Sequence, residues 1–181
     1  MKKELNLLYS FLVLLFLFTG CIKDTDFDQA EAIALRPTIE LNLIHFNVEA
    51  GSFYDQTTAT EILTIRDTTE IRFLDDEEIQ EGLKKVDFYF KFTNSIPRDF
   101  LVDFRFISEM NDTTYVSHTP VASGTIQDPV MTEFIDIVEG EAIIGLTMAN
   151  RLVVSITIPS ADENLDGSLN LQSKTTYYLE L

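Results

Sequence analysis

Hydrophobic and polar residues alternate with a period of two along much of the chain after residue 38. In Val86–Thr93 every second residue is Val or Phe, and the residues between them are Asp, Tyr, Lys and Thr. The segment Phe100–Phe106 repeats this pattern. Such alternation places the apolar side chains on one face of a β-strand. Because residues 95–99 have the length of a hairpin loop, we expect these two strands to pair.

The same period predicts further strands elsewhere in the chain. They are Ile39–Val48, Glu61–Arg66, Thr69–Leu74, Thr113–His118, Thr132–Val138, Leu152–Ile158 and Tyr177–Leu181. Two segments favour helix instead, residues 75–85 with Asp75 as the capping residue, and residues 139–150. About seven to nine short strands without regular strand–helix alternation predict an all-β fold. We expect an antiparallel β-sandwich, immunoglobulin-like, with one or two short helices; a partly closed barrel is the alternative.

The first residues have the character of a targeting segment. Lys2 and Lys3 precede Leu5–Phe18, an apolar run of 14 residues. A transmembrane helix needs about 20 apolar residues, whereas the core of a signal peptide needs roughly 7 to 15. The run therefore indicates a secretory signal peptide over residues 1–20.

The residues that follow, Phe18-Thr19-Gly20-Cys21, resemble the lipobox of bacterial lipoproteins, although Phe stands where Leu is usual. The resemblance implies cleavage between Gly20 and Cys21 and attachment of lipid to the Cys21 thiol. The alternative is an ordinary secretory signal followed by a chance cysteine. The acidic stretch after Cys21 is similar to the tethers of Bacteroidota lipoproteins, and Ile22 at the next position favours the outer membrane. This implies a lipid-anchored protein of the cell envelope, periplasmic or surface-exposed.

The chain divides into three predicted parts. Residues 1–20 form the signal peptide, and residues 21–37 form the lipidated cysteine with an acidic linker that Pro37 closes. Residues 38–181 form a single β-sandwich domain, which is an ordinary size for one domain.

Charge and cysteine content narrow the range of functions. The chain has 13 basic and 30 acidic residues, a net charge of −17, which argues against nucleic acid as a partner. Cys21 is the only cysteine, so no disulfide can form within the chain. The expected partners are the membrane, through the lipid on Cys21, and an envelope protein or polysaccharide.

One loop has the spacing of a calcium site. Asp162, Asn164 and Asp166 occupy positions 1, 3 and 5 of a calcium loop, and Gly167 occupies position 6. The twelfth position, normally Glu, is Ser173. The same residue types build ordinary turns, which is the favoured interpretation. We therefore expect no cofactor, with calcium at these three residues as the minor alternative.

Other candidate groups have simpler explanations. The acids of residues 75–78 with Glu81 suit helix capping, and the only histidines, His45 and His118, lack a metal-ligand spacing. His118 is expected in a loop. Tyr89 and Tyr115 could offer aromatic surfaces to a sugar, although surface tyrosines of a sheet are the plainer interpretation.

No nucleophile signature accompanies the histidines, so we expect a protein that is not an enzyme. Its expected role is structural or binding. The alternatives are an accessory subunit of an envelope secretion, gliding or uptake complex and, less favoured, a small envelope hydrolase with paired carboxylates.

Overall fold

The structure is a computed structural model and describes residues 34–181. Ten strands run through this part of the chain: β1 (Thr38–Glu49), β2 (Tyr54–Asp55), β3 (Thr60–Glu61), β4 (Thr64–Glu70), β5 (Leu83–Asn94), β6 (Phe100–Ser108), β7 (Thr113–Val121), β8 (Val130–Glu139), β9 (Ala149–Thr157) and β10 (Ser168–Leu179). Two short α-helices, α1 (Glu77–Gly82) and α2 (Ala142–Thr147), and the 3₁₀ turns Ala50–Phe53 and Arg72–Asp75 connect them.

The eight long strands form two four-stranded antiparallel sheets, in the orders β1-β10-β5-β8 and β4-β9-β6-β7. Strands β2 and β3 make a small separate ribbon. The expected all-β antiparallel sandwich with two short helices is thus confirmed for residues 34–181. In this part of the chain the two sheets do not join into the barrel named as the alternative.

The connectivity differs from the immunoglobulin-like order expected from the sequence. Pairing is nested along the chain: β1 pairs with β10, β4 with β9, β5 with β8, and β6 with β7. This is the strand order of a jelly roll. The physical reason lies in the long-range pairing of the terminal strands, which strand spacing in the sequence does not reveal.

The expected hairpin between residues 86–93 and 100–106 is also wrong. Strand β5 pairs with β10 and β8, whereas β6 pairs with β7 and β9 in the opposite sheet. Residues 95–99 cross from one sheet to the other. The phenylalanines of both strands point inwards, and the rings of Phe88 and Phe106 lie 5.0 Å apart across the interior. The two strands therefore face each other instead of pairing.

The segments between β3 and β5 depart from the predicted strands. Strand β4 ends at Glu70, and Arg72–Asp75 forms a 3₁₀ turn where a strand was expected. The cap of α1 is Asp76 and not Asp75, because its carboxylate accepts the backbone N–H groups of Glu78 and Ile79 at 2.9 and 3.2 Å. Lys84 and Lys85, at the end of the segment expected to be helical, already belong to β5.

Residues Leu35–Leu181 form one compact unit. Leu35 and Leu181 exchange two backbone hydrogen bonds of 2.9 and 2.8 Å, so both termini of this unit lie at one end of the sandwich, which we call the proximal end. From there β1 and β10 extend over 12 residues each, roughly 40 Å at the usual rise per residue. The loops at the other ends of these strands form the distal end.

Candidate functional site

Loops at the distal end are held together by Asn94, the last residue of β5. Its side chain is completely buried. The Nδ2 group donates to the carbonyl oxygens of Arg98 and Ala122 at 2.9 and 2.8 Å, and Oδ1 accepts the N–H of Ile96 at 2.8 Å. One buried amide therefore fixes two loops, 95–99 and 122–129. A buried polar group with all partners in place makes such loops rigid.

Two glycines allow the distal loops to approach this region closely. A Cβ atom at Gly124 would overlap the carbonyl oxygen of Asn94 and lie 2.8 Å from the backbone nitrogen of Val130. Gly167 has a φ of +106° and lies against Ser95, whose hydroxyl accepts the N–H of Ser168 at 2.8 Å. The backbone at both positions suits glycine alone.

Beside these loops is a shallow cleft of about 320 Å³, which we call the distal cleft. Its lining consists of Ser95, Pro97, Arg98, Thr125, Ile126, Gln127, Asp162, Asn164, Leu165 and Asp166. The guanidinium of Arg98 donates to the carboxylate of Asp162 at 3.2 Å and to the hydroxyl of Ser160 at 3.3 Å. The cleft thus combines charged and amide groups with one exposed apolar residue, Ile126.

The three residues of the calcium candidate lie along this cleft. Asp162 accepts the N–H of Asn164 at 2.9 Å with one oxygen and pairs with Arg98 through the other. Asp166 accepts the N–H of Gly167 at 2.8 Å. These contacts are those of side-chain-stabilised turns. Within residues 34–181, no cluster of three or more His, Cys, Asp or Glu is placed to hold a metal ion. The calcium site stays a prediction, and the turn contacts account for these residues without it.

A wider cavity of about 930 Å³ opens at the proximal end, and we call it the proximal cavity. It is lined by Asp75, Gln80, Ser108, Glu109, Met110, Asp112, Thr113, Thr114, Thr147, Met148, Ala149 and Asn150. Met110 and Met148 are 82% and 55% exposed. Exposed flexible thioethers beside acidic groups suit contact with another protein better than binding of a small polar molecule.

The remaining candidates from the sequence do not come together. His45 lies on β1 and His118 on β7, in different sheets, and both are exposed. His118 is therefore a strand residue and not the loop residue expected. The acids near α1 act in capping through Asp76, as described above.

Tyr89 and Tyr115 also lie in different sheets and do not form a common aromatic surface. The hydroxyl of Tyr89 donates to Glu133 and that of Tyr115 to Asp136, each at 2.8 Å. Burial, together with the bond to Asp136, raises the pKa of Tyr115. The hydrogen bond to Glu133 raises the pKa of Tyr89. Both hydroxyls therefore stay protonated hydrogen-bond donors at neutral pH.

Sequence reasoning missed Asn94, Arg98 and Gly124, the residues that build the distal cleft. Arg98 and Asp162 are separated by 64 positions, and Asn94 and Ala122 by 28, so no local motif links them. A polar residue that ends an alternating run, directly before a loop with proline, is the sole signal that could have pointed to Asn94.

Cys21 and Gly20, the predicted lipidation and cleavage residues, lie outside the described residues. Among the helices that the structure describes, none is long and apolar enough to cross a membrane.

No protein-family model and no functionally curated protein matches the sequence. Several solved structures are similar to part of this chain. VP2 of infectious bursal disease virus, in a subviral particle, is 9% identical with a TM-score of 0.47, over 79% of this chain and 32% of VP2. A candidate secreted protein from Parabacteroides distasonis is 15% identical with a TM-score of 0.47, over 63% of this chain and 37% of its own. The chain thus spans about a third of the length of these proteins.

Proposed function

We propose that this chain is a lipoprotein of the bacterial cell envelope, anchored to the outer membrane by lipid on Cys21, whose β-sandwich binds a partner without catalysing a reaction. The anchor is supported by the apolar run Leu5–Phe18 and by the lipobox that ends in Cys21. Two or more acyl chains hold a protein stably at a bilayer, whereas one does so only marginally.

The position of the distal cleft is the observation that carries the binding role. Leu35, which exchanges backbone hydrogen bonds with Leu181, lies at the proximal end, and Cys21 precedes it by 14 residues. The cleft lies at the other end, roughly 40 Å away along the strands. Binding residues are commonly found on loops that a rigid scaffold positions, and these loops lie opposite the end at which the chain enters the domain.

The side chains of the cleft indicate the kind of partner. Arg98, Gln127 and Asn164 carry planar groups that can donate several hydrogen bonds, and Ile126 adds an exposed apolar contact. Such a lining suits a polar chain molecule of the envelope, either a polysaccharide or an extended loop of a protein. The hydrogen bonds of Asn94 keep the loops in place before binding, which lowers the entropic cost of association.

Crosslinking in cells tests this role. A photo-crosslinking residue at position 126 places the probe in the distal cleft, and the same residue at position 148 places it in the proximal cavity. We expect a specific adduct from position 126 that weakens when Arg98 is replaced by Ala. No adduct from position 126, with full surface accessibility of the protein, would refute the role of the cleft.

The anchor is tested separately by metabolic labelling. Labelled palmitate should enter the wild-type protein and disappear in Cys21→Ala, while Asn164→Ala, a matched change in the cleft, keeps the label. Persistence of label in Cys21→Ala would rule out the lipobox interpretation.

The proximal cavity favours a second candidate, an accessory subunit of an envelope secretion, gliding or uptake complex. Its exposed methionines and acidic residues, Asp75, Glu109 and Asp112, suit a protein surface that carries basic residues. Co-purification with an integral membrane protein in mild detergent, lost in the double variant Met110→Ser and Met148→Ser, would support this candidate. Turnover of glycoside or ester substrates by the purified protein would instead favour the envelope hydrolase.

A further inference from the structure

Strand β8 differs from the other edge strands of the sandwich. Its register with β5 is unbroken over ten residue pairs, from Val130 to Glu139, and no described strand pairs with its other edge. An edge strand left in this state presents a row of unpaired backbone N–H and C=O groups.

The three other edges carry features that hinder pairing with a further strand. Strand β1 has a register break between Asn42 and His45, and β7 contains Pro120. Strand β4 is shorter, with seven residues, and presents exposed Arg66 and Asp67. Breaks, prolines and exposed charges are the usual means by which proteins protect sheet edges. Strand β8 contains neither a break nor a proline, and its exposed charged residues, Glu133 and Glu139, are both acidic.

The outward side chains of β8 form a row of three apolar and two acidic residues, with Glu133 between Met131 and Ile135 and Glu139 at the end. Met131, Ile135 and Ile137 are 56%, 58% and 54% exposed, and they alternate with inward residues along the strand. On the inner side, Asp136 accepts the hydroxyl of Tyr115 from β7 at 2.8 Å, which ties β8 to the opposite sheet. The inner side is thus fixed, and the outer row together with the open backbone edge faces away from the core.

Charge decides what could lie on this edge. Strand β8 contains Glu133, Asp136 and Glu139 and no basic residue. The β8 strand of a second copy would bring three more acids and no basic residue, and the chain's own linker, with four acids and one lysine between Cys21 and Ala34, is acidic as well. Like charges on adjacent strands are destabilising, whereas opposite charges and apolar pairs stabilise the contact.

We propose that β8 binds an extended segment of another protein by adding it as a further strand to the sheet. The side chains of this segment that face the outer row are basic beside Glu133 and Glu139 and apolar beside the other three residues. Backbone hydrogen bonds supply affinity in this mode, and the outward side chains supply selectivity. The inference rests on the proposed binding function but uses a surface separate from the distal cleft.

A designed peptide tests the pairing. The sequence Lys-Thr-Ile-Thr-Val-Thr-Lys-Thr-Ile, laid antiparallel to β8, places its lysines beside Glu139 and Glu133 and its apolar residues beside Ile137, Ile135 and Met131. The peptide carries a fluorescent label, and its binding to the full lipidated chain is measured in mild detergent. The comparison peptide has Glu in place of both Lys. We expect the basic peptide to bind about tenfold or more tightly than the acidic one.

Variants of the chain locate the binding. Glu133→Lys should weaken binding of the basic peptide about tenfold. Ile135→Ser, at an exposed position that the fold tolerates, should weaken this binding as well. Glu81→Lys, an equal charge reversal on α1, should leave it unchanged. Amide hydrogen exchange should slow within Val130–Glu139 when the peptide is added, because its new backbone bonds protect that strand.

Equal binding of both peptides, or slowed exchange outside β8, would overturn the inference. So would a dimer with β8 protected in the absence of peptide, since the occupant would then be a second copy. In cells, a photo-crosslinking residue at position 135 separates this inference from the proposed function. Adducts from position 126 with none from position 135 would refute binding at β8 but not at the distal cleft. Adducts from position 135 with none from position 126 would refute binding at the distal cleft but not at β8.

Discussion

The rings of Phe90 and Phe104 stack with their centroids 3.9 Å apart and their planes inclined by 23°, although Phe90 belongs to one sheet and Phe104 to the other. Both side chains are fully buried. Phe104 also lies 6.5 Å from Phe92, and Phe90 lies 6.1 Å from Phe134 on the edge strand β8. This stack is therefore a central contact in the packing of the two sheets against each other.

Removing the Phe104 ring should destabilise the protein strongly. We expect Phe104→Ala to lower the free energy of unfolding by about 3 to 5 kcal/mol, since the lost contacts leave a cavity between the sheets. Phe104→Leu should cost less because it fills part of that volume. Urea unfolding followed by circular dichroism measures both changes.

Leu101, on the same strand but 44% exposed, provides the control for this experiment. Leu101→Ala should change the free energy of unfolding by less than about 1 kcal/mol. A similar loss for the two alanine variants would contradict the central role given to the stack.

The period-two pattern identified which side chains are buried but not which strands pair. Phe88, Phe90 and Phe104 all point inwards as predicted, because alternation fixes the face of a strand. It carries no information on the neighbouring strand. The short link of residues 95–99 suggested a hairpin, yet it crosses between the sheets. Contacts between aromatic rings of the two sheets, which form only in the folded chain, stabilise this crossing.

The candidate site was predictable only in part. The turn at Asp162–Gly167 was visible because its side chains bond to nearby backbone groups. The ion pair between Asp162 and Arg98 was not predictable, since the two residues meet only where the loop between β9 and β10 lies beside the end of β5. Contacts between side chains and nearby backbone groups could thus be predicted from the sequence, whereas long-range contacts could not.

The stability of the protein should fall in alkaline solution, in part through Tyr177. This side chain is 2% exposed, and burial raises its pKa to about 12. Between pH 10 and 12 the unfolded chain loses the phenolic proton while the folded chain keeps it, so the folded state loses stability as the pH rises. One such group contributes a slope of about 1.4 kcal/mol per pH unit.

Tyr177→Phe removes this titration and keeps most of the ring contacts with Phe73, whose centroid lies 4.4 Å away. The free energy of unfolding of the variant should therefore decline less steeply between pH 10 and 12, while other tyrosines with a raised pKa, such as Tyr115, keep some of the slope. Urea unfolding at several pH values measures this slope. Identical slopes for the variant and the wild type would show that Tyr177 ionises normally in the fold.

Calcium should have no measurable effect on the distal loop. Asp162 already uses one carboxylate oxygen for the N–H of Asn164 and the other for Arg98. We expect titration calorimetry with calcium to give no saturable heat, and the thermal midpoint to stay unchanged when a chelator is added. A saturable heat that Asp162→Ala and Asp166→Ala abolish would instead establish the calcium site.

Arg98→Ala offers a further comparison in the same titration, because it frees one carboxylate oxygen of Asp162 without removing an acidic group. If the ion pair is what keeps the loop from binding cations, this variant alone should show weak calcium heat. The absence of heat in both proteins would assign the spacing of the three residues to turn formation.

The distal cleft should depend on glycine at position 124. Its Cβ-free backbone lies against the carbonyl oxygen of Asn94 and the nitrogen of Val130, and backbone atoms cannot move aside as a flexible side chain can. Gly124→Ala should therefore lower the free energy of unfolding by about 1 to 3 kcal/mol, the usual cost of overpacking. Gly51→Ala is the matched control, because nothing lies within 4 Å of the added Cβ there.

Asn94→Asp extends this test to the hydrogen bonds themselves. The carboxylate can still accept the N–H of Ile96, but it cannot donate to the carbonyl oxygens of Arg98 and Ala122. Losing both hydrogen bonds to these part-buried carbonyls should cost about 2 to 4 kcal/mol and should speed amide exchange in residues 95–99 and 122–129 above all. If exchange rises equally throughout the sandwich, Asn94 stabilises the fold as a whole and not the two loops in particular. If exchange in the two loops stays unchanged, other contacts hold the cleft in shape.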